Sequence, residues 1–269
     1  MQSTNAGGVR LAYALTGEQG PAIVLIHGLG GSAQATYGDV VPILQSEMRV
    51  LAFDNRGVGD SERPAGAYSL EAFARDTREV MRAAGIERAH IVGHSLGGMI
   101  AQQFALDYPD AALSLTLADC PGELPEAGRK NFETRAETVE QGGTAAIVES
   151  VIKNGVGAQA KEQRPAAVER FRQTLLASDG AAYAASCRAA SRLDHLRRLA
   201  HYAGSVLVLW GDQDSGVPRE ASEKLATSVP RGRFEVIPES GHNTPFENPD
   251  AFAVAILEFV PQGAGTGRR

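Results

Sequence analysis

Residues 89–108 decide the fold. They read Ala89-His90-Ile91-Val92, then Gly93-His94-Ser95-Leu96-Gly97-Gly98, then a helical pattern from Met99 to Tyr108 that stops at Pro109. The first piece is an apolar run of strand type, and the last repeats its apolar positions at helical spacing. Between them stands G-x-S-x-G. A strand that turns sharply through this motif into a helix is a nucleophile elbow. The turn strains the backbone of its central residue, and the flanking glycines leave room for the chain to pass close by. The Ser95 hydroxyl then projects from the tip. The helix behind it aims unpaired N–H groups and a partial positive charge at any oxyanion formed there. The motif alone is weak; the strand before it and the helix after it supply its context.

Working outward, the chain alternates strands and helices. Residues 9–15 alternate weakly and read as an edge strand, followed by a turn at Gly17-Glu18-Gln19-Gly20-Pro21. Ala22-Ile23-Val24-Leu25-Ile26 is a continuous apolar run, the pattern of a strand buried on both faces of a mostly parallel sheet. It ends in His27-Gly28-Leu29-Gly30-Gly31-Ser32, where glycines let a backbone N–H face inward. The N–H of Leu29 is the expected second oxyanion donor beside that of Leu96. His27 reads as a residue that ties this loop together by hydrogen bonds. Arg49-Val50-Leu51-Ala52-Phe53 is a further strand, running into Asp54-Asn55-Arg56-Gly57-Val58-Gly59-Asp60-Ser61. That loop lacks the Lys-Ser/Thr ending of a phosphate-binding loop and the full dinucleotide pattern. Asp54 and Arg56 are expected to form an ion pair that locks it. Ser69 is a good N-cap for a helix running to Met81, with Gly85 ending it.

After the elbow helix, residues 113–118 form another strand. The alternation then stops. From about Pro121 to Tyr202 the sequence is helical and rich in Ala, Arg and Glu, with short amphipathic segments at 132–140, 144–153, 165–176 and 181–191. An all-helical insert in such a pattern suggests a cap over the C-terminal edge of the sheet, where clefts of open α/β sheets lie. Strands resume at 205–210 and 233–237, and a helix at 249–260 closes the chain. The fold class is therefore α/β: a mostly parallel sheet flanked by helices, with residues 1–120 and 203–262 as core and 121–202 as cap. The tail, 263–269, is Gly-rich and expected to be disordered.

Three of the loops that follow strands carry a serine, an acid and a histidine, in that order. Serine is a poor nucleophile near neutral pH and needs an imidazole within reach to take its proton. His242, in the loop Ser240-Gly241-His242-Asn243, has the setting for that base. The imidazole in turn needs a buried carboxylate to fix its tautomer. Gly211-Asp212-Gln213-Asp214 offers two; Asp214 lies deeper in the loop, ahead of Val217-Pro218, and is the expected partner, with Asp212 structural. The catalytic candidates are Ser95, Asp214 and His242.

Composition bounds the rest. The chain has 269 residues, 43% of them hydrophobic and 22% charged, enough for one substantial core with an inserted unit. A net charge of −6 argues against nucleic acid or an anionic membrane as partner, and leaves a small anionic substrate open. Cys120 and Cys187 make neither a metal-ligand nor a disulfide pattern and read as reduced thiols of a cytoplasmic protein. No apolar segment is long enough to span a membrane, and no signal sequence is read at the start. No metal or cofactor is expected; the partner is a small-molecule substrate, with a homo-oligomer left open.

The segments HGLGGS, DNRGVGDS, GHSLGG, WGDQDSGVP and SGHNTPFENP together resemble those of the α/β-hydrolase superfamily, over nearly the whole chain. The resemblance implies a Ser–His–Asp hydrolase on an eight-stranded α/β-hydrolase fold with a helical cap, its acid matching Asp214. Within the superfamily the cap resembles the 3-oxoadipate enol-lactonases, through FETRAETVEQGG and LLASDGAAYAASCRAA. That implies a small ester or lactone substrate, with Phe132 and Arg135 in its binding site. The chain departs from those enzymes at Phe132, where they usually carry tryptophan, and at VIKNGV, where they carry aromatics. The nearest catalytic rivals are the meta-cleavage C–C hydrolases, which tend to have asparagine before the nucleophile and tryptophan after the histidine; here His94 and Asn243 stand there. A ligand receptor with slow turnover is the alternative of another class.

Overall fold

Each apolar run read as a buried strand pairs into one sheet in the computed structural model, which describes residues 2–260. The tail at 263–269 lies outside the described residues. The strands are β1 (Gln2–Ala6), β2 (Val9–Thr16), β3 (Ala22–Ile26), β4 (Arg49–Phe53), β5 (Ala89–His94), β6 (Ala112–Ala118), β7 (Ser205–Gly211) and β8 (Gly232–Ile237). Their order in the sheet is β1-β2-β4-β3-β5-β6-β7-β8. Pairing is parallel from β4 to β8, while β2 runs antiparallel to both β1 and β4. One expectation is corrected here. Residues 9–15 are not the edge: the polar strand β1 covers them, pairing Ala6 with Val9 through Gln2 with Tyr13. Its sequence, Gln-Ser-Thr-Asn-Ala, carries no apolar alternation because it is mostly exposed, held by the ladder hydrogen bonds and by the buried Ala6 at its end.

The period-two alternation of the central strands feeds two cores. Val24, Ile26, Leu51, Phe53, Ile91, Leu115, Val206 and Val208 face one side, where Phe73, Met81, Ile100 and Phe104 close over them. Ile23, Leu25, Val50, Val92, Leu207 and Leu209 face the other, against Tyr37, Leu44, Phe252 and Ile256. The helices that supply these lids are α1 (Ala33–Tyr37), α2 (Val41–Leu44), α3 (Leu70–Ala83) and α4 (Leu96–Asp107) before the insert, and α11 (Arg219–Thr227) and α13 (Pro249–Phe259) after it; the short α12 (Thr244–Glu247) instead gives Phe246 to the cluster of the inserted helices. Ser69 caps α3 as expected, its side chain accepting from the Ala72 N–H.

Residues 121–202 contribute no strand to the sheet. They form α5 (Glu126–Gly142), a 3₁₀ turn (Thr144–Ala146), α6 (Val148–Gly155), α7 (Ala158–Gln163), α8 (Pro165–Leu176), α9 (Gly180–Ala190) and α10 (Leu196–Leu199). These helices bury their own cluster, including Val139, Ile152, Phe171, Leu175, Tyr183 and Cys187. The two ends of the segment run side by side: Glu123 bridges Asp194, and the His195 N–H donates to the Gly122 carbonyl at 2.9 Å. The layer rests on loops that follow the C-terminal ends of strands. A side chain at Gly30, after β3, would meet Leu175 of α8 at 2.7 Å. The His242 N–H, after β8, donates to the Gly155 carbonyl of α6 at 2.9 Å. Among the described residues, no helix is long and apolar enough to cross a membrane.

Candidate active site

Ser95 takes φ 52° and ψ −117°, the strained backbone expected at the tip of the elbow. Its N–H donates to the Ala118 carbonyl at 2.9 Å, which pins the end of β5 to the end of β6. The glycine two residues on is required by proximity: a side chain at Gly97 would overlap the Ile26 carbonyl oxygen of β3. The turn thus presses the start of α4 against the neighbouring strand and leaves the Ser95 side chain facing outward, half-buried.

The three residues read from the sequence as a set meet at this point. His242 Nε2 lies 2.9 Å from Ser95 Oγ, and His242 Nδ1 lies 2.9 Å from Asp214 Oδ2. Asp214 Oδ1 accepts the N–H groups of Gly216 and Val217 at 2.7 and 3.1 Å. That uses the second carboxylate oxygen and orients the first towards the imidazole. Burial works against charge on both partners. The Asp214 charge and its hydrogen bond nevertheless raise the His242 imidazole to about 9, while His242 and the two amides hold the Asp214 carboxyl below its ordinary value. Asp212 makes no contact with His242; its side chain accepts the Ser240 N–H at 3.0 Å and shapes the loop.

The two residues expected to supply oxyanion donors adjoin the elbow, Leu96 next to Ser95 in the chain and Leu29 next to Gly28. The N–H groups of Leu29 and Leu96 have no acceptor among the described residues. Gly28 lets the first of them approach: a side chain there would meet Ser95 Cβ at 3.1 Å. His27 ties the loop, accepting the Asn55 N–H on Nε2 at 3.0 Å and donating from Nδ1 to the Gly28 carbonyl at 2.8 Å. The expected ion pair in the neighbouring loop does not form. Arg56 reaches instead to Asp76 on α3, with two bonds of 2.6 and 2.8 Å, while Asp54 accepts the N–H of Ala33 at 2.9 Å and of Asp60 at 3.2 Å. Each Asp54 oxygen is turned to a backbone amide of its own surroundings, and the guanidinium pairs with the carboxylate that α3 presents.

Phe132, on α5, is half-buried and packs with Leu29 against both the main core and the helical layer's cluster. Arg135, one turn further, is exposed, yet its charge acts on the Tyr183 phenol and lowers the affinity of His242 for a proton. Two cavities lie nearby. One of about 10 Å³, room for a single water, sits behind Leu29 and Leu96 towards Phe73 and Tyr183. The other, about 640 Å³, opens between α1, the Asp54–Arg63 loop and the end of α8. Neither is walled by Ser95 or His242, so geometry of the polar groups, not cavity size, locates the site. Among the described residues no group of three or more His, Cys, Asp or Glu is arranged to hold a metal ion.

Three further buried polar residues hold the site; sequence reasoning gave none of them a role, naming His94 only for its place before the nucleophile. Asp119 ends β6 at φ 52° and is fully buried. It accepts the Thr244 hydroxyl at 2.6 Å, the Thr244 N–H at 3.2 Å and the Gly211 N–H at 3.1 Å. Burial and the nearby Asp214 charge push its carboxyl far above the usual range. Glu247 gathers the N–H groups of Gly157, Gly241 and Asn243 at 2.7, 2.8 and 2.9 Å, joining the helical layer to the base loop. His94 donates to the His242 carbonyl at 2.7 Å. An acid or histidine directly after an apolar strand was the available signal for Asp119 and His94; Glu247 offered none.

A family model for the α/β-hydrolase fold matches residues 21–249. The chain belongs to the α/β-hydrolase family. Among its relatives is a Shigella flexneri protein provisionally named carbamate hydrolase RutD, 30% identical over 248 residues that cover 88% of this chain and 90% of that one. The enol-lactonase of Burkholderia xenovorans LB400 superposes with a TM-score of 0.91 at 25% identity, over 96% of this chain and 99% of that chain. A thermophilic esterase from Thermogutta terrifontis superposes at 0.88 with 29% identity, over 96% and 95%. This α/β-hydrolase therefore shares its whole architecture, helical layer included, with enzymes named for ester and lactone hydrolysis.

Proposed function

We propose that this hydrolase cleaves a small carboxylic ester or lactone through an acyl-enzyme on Ser95. The observation that carries the reading is the hydrogen-bonded chain Ser95–His242–Asp214, with both links at 2.9 Å. In its neutral form His242 Nε2 takes the hydroxyl proton as Oγ adds to the carbonyl carbon. The N–H groups of Leu29 and Leu96 receive the oxyanion, and they need no reorganisation because neither is engaged beforehand. His242 then returns the proton to the departing oxygen, which remains on the acyl chain when the substrate is a lactone. A water activated by the same imidazole frees the product. Asp214 holds Nδ1 protonated throughout and stabilises the imidazolium. Residues 121–202 serve as the cap, with Phe132 forming an apolar wall and Arg135 gripping a substrate carboxylate.

The names of the enol-lactonase and the esterase support the ester or lactone class. The carbamate name of the RutD relative supports a second reading, since a carbamate carbonyl meets the same nucleophile and donors. The test is a substrate panel of lactones, simple esters and carbamates, with acyl-enzyme trapped at acid pH and weighed by mass spectrometry. An adduct on Ser95 with lactones or esters is the expected result. Turnover without any Ser95 adduct sinks the serine mechanism, and turnover of carbamates alone replaces the substrate class.

A further inference from the structure

Two histidines stand 5.6 Å apart, ring centre to ring centre, at the tip of the elbow, and only His242 hydrogen-bonds to the Ser95 hydroxyl. His94 is the last residue of β5 and lies directly before the nucleophile. Its ring is 4% exposed, with Nε2 2.7 Å from the backbone oxygen of His242. A carbonyl can only accept, so Nε2 carries the hydrogen and Nδ1 is bare. Nδ1 is buried with no hydrogen-bond partner among the described residues, and faces Gly28, where a side chain would come within 2.7 Å of it. Burial, with the neighbouring His242 charge, pushes the His94 imidazole down to about 3, so it stays neutral.

These contacts close a ring. His94 is covalently bonded to Ser95, Ser95 Oγ lies 2.9 Å from His242 Nε2, and the His242 carbonyl returns to His94. The base loop is held two residues further on by Asp119, which takes both the N–H and the hydroxyl of Thr244. It is held from above by the Gly155 carbonyl, which takes the His242 N–H. Glu247 holds it as well, through the N–H groups of Gly241 and Asn243, but of these tethers the one from His94 is the one that arises from the nucleophile's own strand.

We propose that His94 is a positioning residue that hangs the His242 backbone on the strand carrying Ser95 and so fixes the distance between base and nucleophile. It rests on the reading of Ser95 and His242 as nucleophile and base. Losing the Nε2–H leaves the His242 carbonyl without its donor and frees the loop to shift. A misplacement of about 1 Å at reacting groups costs on the order of a hundredfold in rate. Because the tether acts on the base and not on the substrate, the loss falls on kcat.

The test compares four variants with wild type, using p-nitrophenyl acetate and thermal melting. His94→Phe keeps a ring and removes the donor; His94→Gln restores an N–H at about the reach of Nε2. His90→Phe is the control. His90 lies on the same strand, is buried, and makes one hydrogen bond, to Ser114 Oγ at 2.8 Å, far from the elbow. Ser95→Ala reports on the underlying mechanism. The expected result is a loss in kcat of about ten- to a hundredfold for His94→Phe with KM within about threefold. His94→Gln should recover to within about fivefold of wild type, and His90→Phe should lose Tm but keep kcat within about twofold. If His94→Phe fails to fold, His94→Met takes its place with the same expectation. Wild-type kcat in the donor-free variant overturns the proposal. So does an equal kcat loss in His90→Phe, or a well-folded His94→Gln that stays as slow as the donor-free protein. Activity surviving in Ser95→Ala instead overturns the serine mechanism itself, whatever the His94 variants do.

Discussion

At the C-terminal edge of the sheet, three acidic side chains around the triad are out of water and engaged by hydrogen bonds. Asp119, Asp214 and Glu247 are 0, 8 and 5% exposed, and each accepts three hydrogen bonds from within the protein. In the helical layer the charges meet on the outside. Arg188 pairs with Glu133 and Glu140, and Arg172 with Glu149 and Glu169, all partly or largely exposed. Removing one partner of a buried group strands the other without water, whereas an exposed pair is screened and contributes little. The sheet edge therefore holds its geometry rigidly, and the layer above can change its surface at small cost. The proposed function places the chemistry in the first region and substrate choice in the second.

The largest effect expected from this division is at Ser95. Ser95→Ala should lower kcat at least about a thousandfold, since the covalent route is lost while the oxyanion donors remain. Steady-state kinetics check it, and a variant retaining a tenth of wild-type activity would break the division at its centre. Next comes the acid. Asp214→Asn should cost about a hundredfold or more in kcat, because an amide cannot hold the required tautomer. Asp212→Asn should stay within about tenfold, since its one contact is a backbone N–H that an amide oxygen can still accept. The reverse order would move the acid one turn of the loop.

The helical layer should respond differently. Arg135→Ala is expected to cost about 1–2 kcal/mol of transition-state binding on a carboxylate-bearing lactone, a modest figure because the guanidinium is exposed. On the neutral methyl ester it should cost almost nothing. Equal losses on both substrates would remove Arg135 from the binding site and assign it to packing.

The smallest effects are in pH dependence, and they have opposite signs at neighbouring histidines. His242 must be neutral to act as a base, and Asp214 raises it to about 9. The rise of kcat/KM with pH should then be centred well above 6.5. The raised value also means that its contribution to stability is full below pH 6.5 and is lost as pH climbs through 9. His90 and His94 are pushed down by burial, to about 4 and about 3. The unfolded chain binds those protons first, so they destabilise the fold progressively as pH falls from 6.5 towards 4. Melting curves across pH 4–10 would show decline at both ends; a flat acid side would contradict the neutral, buried state of His94.

Much of the fold was legible because buried strands announce themselves by composition. Ala22–Ile26 and Ser205–Gly211 are apolar on both faces, and they are central. Strand β1 was not legible, since an exposed edge held by backbone bonds needs no particular side chains. The site followed the same rule. Ser95 stood in a motif whose glycines have a steric purpose, and His242 and Asp214 followed strands. Glu247 and Gly155 lie on different elements, and nothing local marks either as a partner of the base loop.

The sequence by itself determined which residues stand at the ends of which strands, because side-chain periodicity and turn residues are properties of a few consecutive positions. It determined the order serine, acid, histidine, and the helical nature of residues 121–202. Only the tertiary structure decided who meets whom. Arg56 pairs not with Asp54, two residues away, but with Asp76, twenty away, while Asp54 turns to the amides of Ala33 and Asp60. Among the donors that hold the base, His94 comes from β5, and the acceptor Gly155 from the helical layer. A hydrogen bond is made by distance and direction in space, and those are fixed only once strands are packed side by side and the layer has closed over their ends.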